Sequence, residues 1–477
     1  MIDGNNSLPQ LPEGWVGTKL SEISEIILGQ SPPSSTYNED GNGLPFYQGK
    51  LEFGDVYPTA RKWCSSPKKI AERRDVLISV RAPVGPTNIC PDKSCIGRGL
   101  AAIRPLDGIG SNFMLYLLRG FEDVLVGQGT GTTFNAITGN QLRTFAIPLP
   151  PLPEQHRIVA KIEELFTRLD AGVDALNKIK LQLKGYRQAV LKYAFEGKLT
   201  KEWREAHKSE VESASMLLEK IKAERAKIGK YKELSPMDAS SLPELPEVWT
   251  WARVGDLYDI IGGGTPSTSR PEYWDGDIPW ITSADIYGVK EIRPRKTITR
   301  VGIENSATNL VPAGSLIVVT RVGLGKIAIT GSPLCFSQDS QALVGNNSLI
   351  NPVYSLYYLS KEVQRFKYEH RGTTIAGVTK KQLAELTFAL PPLAEQQNIV
   401  EEIERCFSVA DAIEKDVEQS LKQAERLRQS ILKRAFEGKL VPQDPTDEPA
   451  EKLLEHIRAE RARIEAEKKA TGKTRRI

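Results

Sequence analysis

Apolar residues fall into two alternating textures along the chain. From 153 to 196 and again from 394 to 437 they recur in alternating steps of four and three. The first stretch reads Ile158, Ile162, Leu165, Leu169, Gly172, Leu176, Ile179, Leu183, Tyr186, Val190; the second reads Ile399, Ile403, Cys406, Ala410, Ile413, Val417, Ser420, Ala424, Leu427, Ile431. A 3.5-residue period sustained over many turns is the seam of a coiled coil. Each stretch opens just past Pro-Pro-Leu, lacks proline in its interior and stops at Gly197 or Gly438, the start and stop signals of a helix. At ~1.5 Å per residue each helix would run about 65 Å, a spacer rather than a core element. The seam predicts that the two helices pair, with Gly172 and Ala410 permitting close approach; the alternative is that each packs on its own globular domain.

The intervening stretches are rich in Gly, Pro, Ser and Thr and carry short β-branched runs. Val76-Leu77-Ile78-Ser79-Val80 and Leu316-Ile317-Val318-Val319-Thr320 read as buried strands. The whole pattern occurs twice. Leu11-Pro12-Glu13-Gly14-Trp15 returns as Leu245-Pro246-Glu247-Val248-Trp249, and Gly29-Gln30-Ser31-Pro32 as Gly263-Gly264-Thr265-Pro266. Cys95 matches Cys335, Pro150-Pro151-Leu152-Pro153-Glu154-Gln155 matches Pro391-Pro392-Leu393-Ala394-Glu395-Gln396, and Ala-Phe-Glu-Gly-Lys-Leu closes both helices at 194–199 and 435–440. A charged helix also repeats, at 217–228 and 453–464. Two copies in one chain imitate a homodimer, so a pseudo-twofold axis is expected, with the long helices antiparallel. The predicted fold class is α+β: a duplicated, mixed, β-rich domain followed by a long helix, the two helices pairing as an antiparallel coiled coil. The domains are read as 1–150 and 236–390 for the globular parts, 151–235 and 391–477 for the helical parts, the last ending in a basic tail.

Length, 477 residues, requires several domains. The five cysteines include no Cys-x-x-Cys pair, which argues against a disulfide framework or a Cys-rich zinc site and fits a reducing cytoplasm. No apolar run is long enough to span a bilayer, and the first residues lack a signal-peptide layout. Sixty-four basic against sixty acidic residues give a net charge of +4, so any electropositive surface must be local. Catalytic signatures are missing. Val322-Gly323-Leu324-Gly325-Lys326 lacks the upstream glycine and the Ser/Thr of a phosphate-binding loop. Gly127-Gln128-Gly129-Thr130-Gly131 keeps only its last glycine, as Gly372, in the second copy, and four scattered histidines cannot build a metal site. The chain is read as one that binds and does not catalyse.

Several loops combine glycine, hydroxyl and basic residues, the set that contacts phosphates and base edges. In the first copy they contribute Gln48, Lys50, Ser79, Arg81, Gly85, Arg98, Thr132 and Thr133; in the second, Arg295, Thr320, Arg321, Lys326, Thr373 and Thr374. A lone basic residue is usually solvated surface. Arg81 and Arg321 stand out because each follows a buried strand at its exit into a glycine loop, where a reading group can be mounted rigidly. Trp15 and Trp249 are read as packing residues, and Tyr47 and Trp280 adjoin loops that differ between copies.

The combination of Leu-Pro-Glu-Gly-Trp at 11–15, Asp75-Val-Leu-Ile-Ser-Val-Arg-Ala-Pro-Val-Gly85, the two Pro-Pro-Leu-x-Glu-Gln segments and the two Ala-Phe-Glu-Gly-Lys-Leu helix ends resembles the DNA-specificity (S) subunits of type I restriction–modification enzymes, over essentially the full chain. The second copy's Gly263-Gly-Thr-Pro-Ser267 and Ile278-Pro-Trp-Ile-Thr282 are similar to recognition domains of that family, the latter adding Thr282 and Ser283 as candidates; the first copy departs from that pattern at Gly29-Gln-Ser-Pro-Pro33 and Pro45-Phe-Tyr-Gln48. The resemblance implies two target-recognition domains, each reading half of a split double-stranded DNA site, with the helices as a ruler for the unread spacer. It implies two methyltransferase subunits and up to two motor–nuclease subunits as partners. S-adenosylmethionine, ATP and Mg²⁺ would belong to those partners, with no cofactor on this chain. The seam-free faces of the long helices and the repeated charged helices are candidate docking surfaces. A stand-alone DNA-binding regulator is the rival reading, and a nuclease of unrecognised chemistry a second one.

Overall fold

The computed structural model describes residues 8, 10–106, 108–127, 136–227, 234, 235, 237, 238, 240–369 and 377–474. The chain divides into two compact units, Met1–Lys178 with Val417–Ile477, and Ile179–Asp416. This division cuts across the predicted segments because each long helix, Leu152–Phe195 and Leu393–Phe436, gives its start to one unit and its end to the other.

In the first unit, Val16–Lys19 pairs antiparallel with Ala146–Leu149, placing the two ends of the globular part side by side. A four-stranded antiparallel sheet runs Ser24–Leu28, Leu100–Pro105, Val76–Ser79, Thr87–Ile89. A five-stranded sheet runs Tyr37–Asn38, Lys62–Cys64, Leu44–Tyr47, Ser94–Ile96, Ile70–Ala71, and in it Leu44–Tyr47 and Ser94–Ile96 are parallel. The second unit repeats the plan. Thr250–Arg253 pairs with Thr387–Leu390, and a four-stranded sheet runs Asp259–Gly262, Ser340–Val344, Leu316–Val319, Ile327–Ile329. Its counterpart of the five-stranded sheet has three strands, Lys296–Ile298, Trp274–Ile281 and Cys335–Phe336, the last two parallel. The strands expected at 76–80 and 316–320 are Val76–Ser79 and Leu316–Val319, buried at every position. The fold is a duplicated mixed α/β domain with long helices.

The repeated motifs are the joints of this plan. Glu154 and Glu395, in the first turns of the long helices, are buried and accept the indole N–H of Trp15 (2.9 Å) and Trp249 (2.7 Å). Gln155 and Gln396 return their side-chain amides to the carbonyls of Pro150 and Pro391, both at 2.9 Å. Thus Trp15 and Trp249 pack, as their motif suggested. The helix ends are equally explicit. Gly197 and Gly438 take φ of +67° and +68°, with paired bonds Gly197 N–H to Ala194 O and Lys198 N–H to Tyr193 O, repeated by Gly438 to Ala435 and Lys439 to Arg434. This is the left-handed glycine stop. A Cβ at either glycine would collide with Pro246 or Pro12, so the stop also sets how closely the Leu-Pro segment approaches.

Burial along the seam is uneven. Ile158, Ile162 and Ile431 lie in the first unit's core, and Val190, Ile399, Ile403 and Cys406 in the second's. Leu183 and Val417 are buried, while Leu165, Leu169 and Leu176 are half-buried. Ile179, Ile413 and Leu427 are 37%, 41% and 48% exposed, so the expectation of a continuous buried stripe is corrected there. Gly172 is corrected too, since a Cβ at that position would meet nothing within 4 Å. The ends of the helices are covered by globular cores, and their middles are not. The repeated charged helices, Ala214–Lys227 and Ala450–Thr474, bury Leu217, Leu218 and Ile221, and Leu454 and Ile457, in the same cores. Those parts of their apolar faces are therefore covered within the chain, while Met216 and Ile464 remain exposed.

Candidate nucleic-acid interface

Two adjacent parallel strands end at one edge of each domain, and that edge gathers most of the candidates. In the first unit, Leu44–Tyr47 runs into Gln48 and Ser94–Ile96 runs into Gly97-Arg98-Gly99. Gly97 N–H bonds Tyr47 O (2.9 Å), Gln30 N–H bonds Ile96 O (3.0 Å), and Val80 N–H bonds Gly99 O (2.9 Å). The exit of Val76–Ser79, carrying Arg81, is thereby fastened beside Arg98. A third segment closes the group through Ile137 N–H to Val80 O (2.9 Å) and a bridge between Arg81 and Ala136. Gln48, Lys50, Arg81 and Arg98 are exposed there.

The second unit makes the same bonds with different residues. Ser337 N–H bonds Ile281 O (2.9 Å), Gly264 N–H bonds Phe336 O (2.9 Å), Thr320 N–H bonds Asp339 O (2.8 Å) and Val378 N–H bonds Thr320 O (2.8 Å). Gln338 and Arg321 are exposed, and Thr282 is half-buried. Gly29 and Gly263 explain the close fit, because a Cβ on either would collide with the carbonyl of Gly97 or Ser337. Thr132, Thr133, Thr373 and Thr374 lie outside the described residues, a few positions before the segments that dock at Val80 and Thr320.

Several candidates shape the edge from within. Ser79 and Thr320 are buried, with hydroxyls donating to Arg81 O (3.1 Å) and Asp339 O (3.3 Å). Gly85 is buried at φ +108°, and a Cβ there would press on Glu122. The Lys326 ammonium donates to Ser283 O (2.9 Å) and Ile286 O (3.0 Å), tying two loops together. Asp285 caps the Thr282–Ser283 turn, accepting from Thr282 N–H (2.7 Å) and its hydroxyl (2.8 Å), and Arg295 pairs with it. Burial pushes the Asp285 carboxyl up, but the Thr282 and Arg295 donors outweigh it and hold it below the ordinary carboxylate value. Arg295 is therefore already neutralised locally. The sequence marked these residues; it could not show that Ser79, Gly85, Ser283 and Thr320 are buried, nor that Lys326 and Arg295 already have partners within the chain.

Gln338 and Asp339 escaped the sequence reading because the second copy replaces Gly-Arg-Gly with Ser-Gln-Asp, removing the glycine-plus-base signature; Thr265 lies in the Gly-Gly-Thr-Pro-Ser segment that the family resemblance marks, but was not among the candidate contacts. The signal was available in the repeat register, since Cys95 and Cys335 fix Arg98 opposite Gln338.

The family described as type I restriction modification DNA specificity domain matches residues 12–183 and 246–423, one match per copy. The EcoDI specificity subunit of Escherichia coli, a type I restriction enzyme component, is 26% identical over 473 residues, 96% of this chain and 97% of that one. A Methanocaldococcus jannaschii relative, MjaX, is 39% identical over 197 residues, 41% of this chain and 45% of its own length. A chain solved in a structure on complex assembly and conformational transition of the type I R-M system superposes with TM-score 0.63 at 21% identity, covering 91% of this chain and 100% of that one. With a match on each copy and a full-length relative, this chain belongs to the type I restriction–modification DNA specificity family.

Proposed function

We propose that this chain is the DNA-reading, non-catalytic component of a type I restriction–modification assembly, each globular domain reading one half of a two-part double-stranded site. The observation that carries this reading is the duplicated edge: one main-chain hydrogen-bond scaffold, used twice, with different exposed side chains. A shared scaffold with divergent edges suits an asymmetric site, because each domain approaches DNA alike but meets different base edges. The two long helices pair antiparallel and set the unread spacer. Support for the pairing lies within each unit. Arg187 pairs with Asp411 (2.6 Å) and Glu414 (2.8 Å) in the second, and Arg428 pairs with Asp170 and lies 4.6 Å from the Phe166 ring in the first. Such part-exposed pairs contribute at most ~1 kcal/mol each, so they serve register more than stability.

Methylation and cleavage, with S-adenosylmethionine, ATP and Mg²⁺, belong in this reading to two methyltransferase subunits and up to two motor–nuclease subunits in the cytoplasm. Among the described residues no helix is long and apolar enough to cross a membrane. The ruler is tested by inserting four residues, about one helical turn, after Leu176. Duplex selection with the complex should return both half-sites unchanged with a longer spacer between them; an unaltered spacer would refute the role given to the helices.

A further inference from the structure

Arg98 and Gln338 occupy one position in the two domains. Each is the second residue after a strand that ends parallel to its neighbour, and each is exposed between the same three main-chain anchors. The residue facing each is a hydroxyl at the same place in the repeat. Ser31 Oγ accepts the Arg98 N–H (3.2 Å), and the Thr265 hydroxyl donates to the Gln338 amide oxygen. The Arg98 guanidinium has no hydrogen-bond or ion-pair partner among the described residues. The Gln338 amide keeps its N–H₂ and a second oxygen lone pair, with the Thr265 bond fixing which way the amide faces.

Their chemistries differ in a way that base edges distinguish. A guanidinium presents two parallel donors, matching O6 and N7 of guanine. A carboxamide presents one donor and one acceptor, matching N7 and N6–H₂ of adenine. Resting on the DNA-reading function above, we propose that Arg98 and Gln338 are equivalent specificity-determining residues, Arg98 selecting guanine in the first domain's half-site and Gln338 selecting adenine at the corresponding base pair of the second's. The loop is shaped by backbone bonds and by small neighbours at 29 and 263, so the side chain can change without rebuilding the loop.

The test exchanges the two side chains. Full-length R98Q and Q338R, each purified with its co-purifying subunits, are put through selection from randomised duplexes followed by sequencing. R98Q should move one position of one half-site from G·C to A·T, by about 10- to 100-fold in relative binding, and leave the other half-site unchanged. Q338R should make the reverse change in the other half-site only. R98A should flatten that same position instead of switching it, with an unchanged melting curve. A uniform loss across all sequences would make Arg98 a phosphate contact and overturn the assignment, as would variants that alter no position or alter both half-sites. If the wild-type complex selects no two-part site, the DNA-reading function itself fails; if it selects one that the variants do not move, only the present assignment fails.

Discussion

Removing Glu395 should destabilise the second unit well beyond what removing Glu154 does to the first, although the two carboxylates hold the same place in the repeat. Glu395 is fully buried and accepts from Trp249 Nε1 (2.7 Å), Thr200 Oγ1 (2.7 Å) and Arg204 Nε (2.9 Å). Arg204 also donates to Gly197 O, so one guanidinium joins the stop of the first long helix to the start of the second. In the first unit Gln443 takes that place, donating to Gly438 O (2.8 Å) and, more distantly, to Glu154 Oε1 (3.5 Å). E395A therefore leaves a largely buried cation and two further donors unpaired, a loss of about 3–5 kcal/mol. E154A orphans one buried indole N–H and a weak amide contact, about 1–3 kcal/mol. At ~2–4 °C per kcal/mol for units of this size, the melting transition should fall by about 6–20 °C for E395A and about 2–12 °C for E154A. Calorimetry, with hydrogen exchange assigning each transition to its unit, separates the two.

The amide isosteres sharpen the contrast through pH. Burial raises the Glu154 carboxyl above its ordinary value of 4.5, against the lowering effect of the Trp15 and Gln443 donors. The folded state thus holds that proton more tightly than the unfolded chain does. The resulting stabilisation is complete below the unfolded pKa and is lost as pH rises through the folded one. E154Q, permanently neutral, should be at least as stable as wild type at pH 8 and lose its advantage toward pH 4. E395Q should be destabilised at pH 8, because it removes the charge that Arg204 needs. Equal costs for E395A and E154A, or a harmless E395Q, would refute the claim that the two joints differ by one ion pair.

The remaining predictions concern the helix stop and the thiols. G438A should cost upwards of about 1–2 kcal/mol from its left-handed φ alone, with further loss from the collision with Pro12, measured as a lowered melting temperature of the first unit. Burial pushes the thiols of Cys90 and Cys335 up to about 11 and that of Cys95 up to about 12. All three should resist iodoacetamide in the native protein at pH 8 and react once it is denatured, as mass spectrometry of the alkylated peptides would show.

The long helices were legible because their signals are local: Pro-Pro-Leu at the start, glycine at the stop, and a period that survives any tertiary context. The same period marks a face without stating how deeply it is covered. Hence Ile158 and Ile403 lie in domain cores while Ile179, Ile413 and Leu427, on the same stripe, remain open. At the proposed reading edge, glycine and charge marked loops that the fold brings together in the first copy. They could not separate Arg98, whose side chain is exposed, from Ser79, whose hydroxyl turns back onto its own loop. That distinction depends on strands from distant parts of the chain meeting in register, and it is invisible to composition.

The two copies agree where a change would be costly and differ where it would be cheap. The Trp–Glu joints and the left-handed glycine stops are buried or sterically forced, so a substitution there leaves an orphaned donor or a collision. Position 98 or 338 has neither constraint. Its loop is held by amide and carbonyl groups that any residue supplies, and its side chain faces solvent. Recognition can therefore diverge between the domains without drawing on folding stability. It follows that R98Q and Q338R should change what is bound while leaving both melting transitions where they were, whereas E395A should do the reverse.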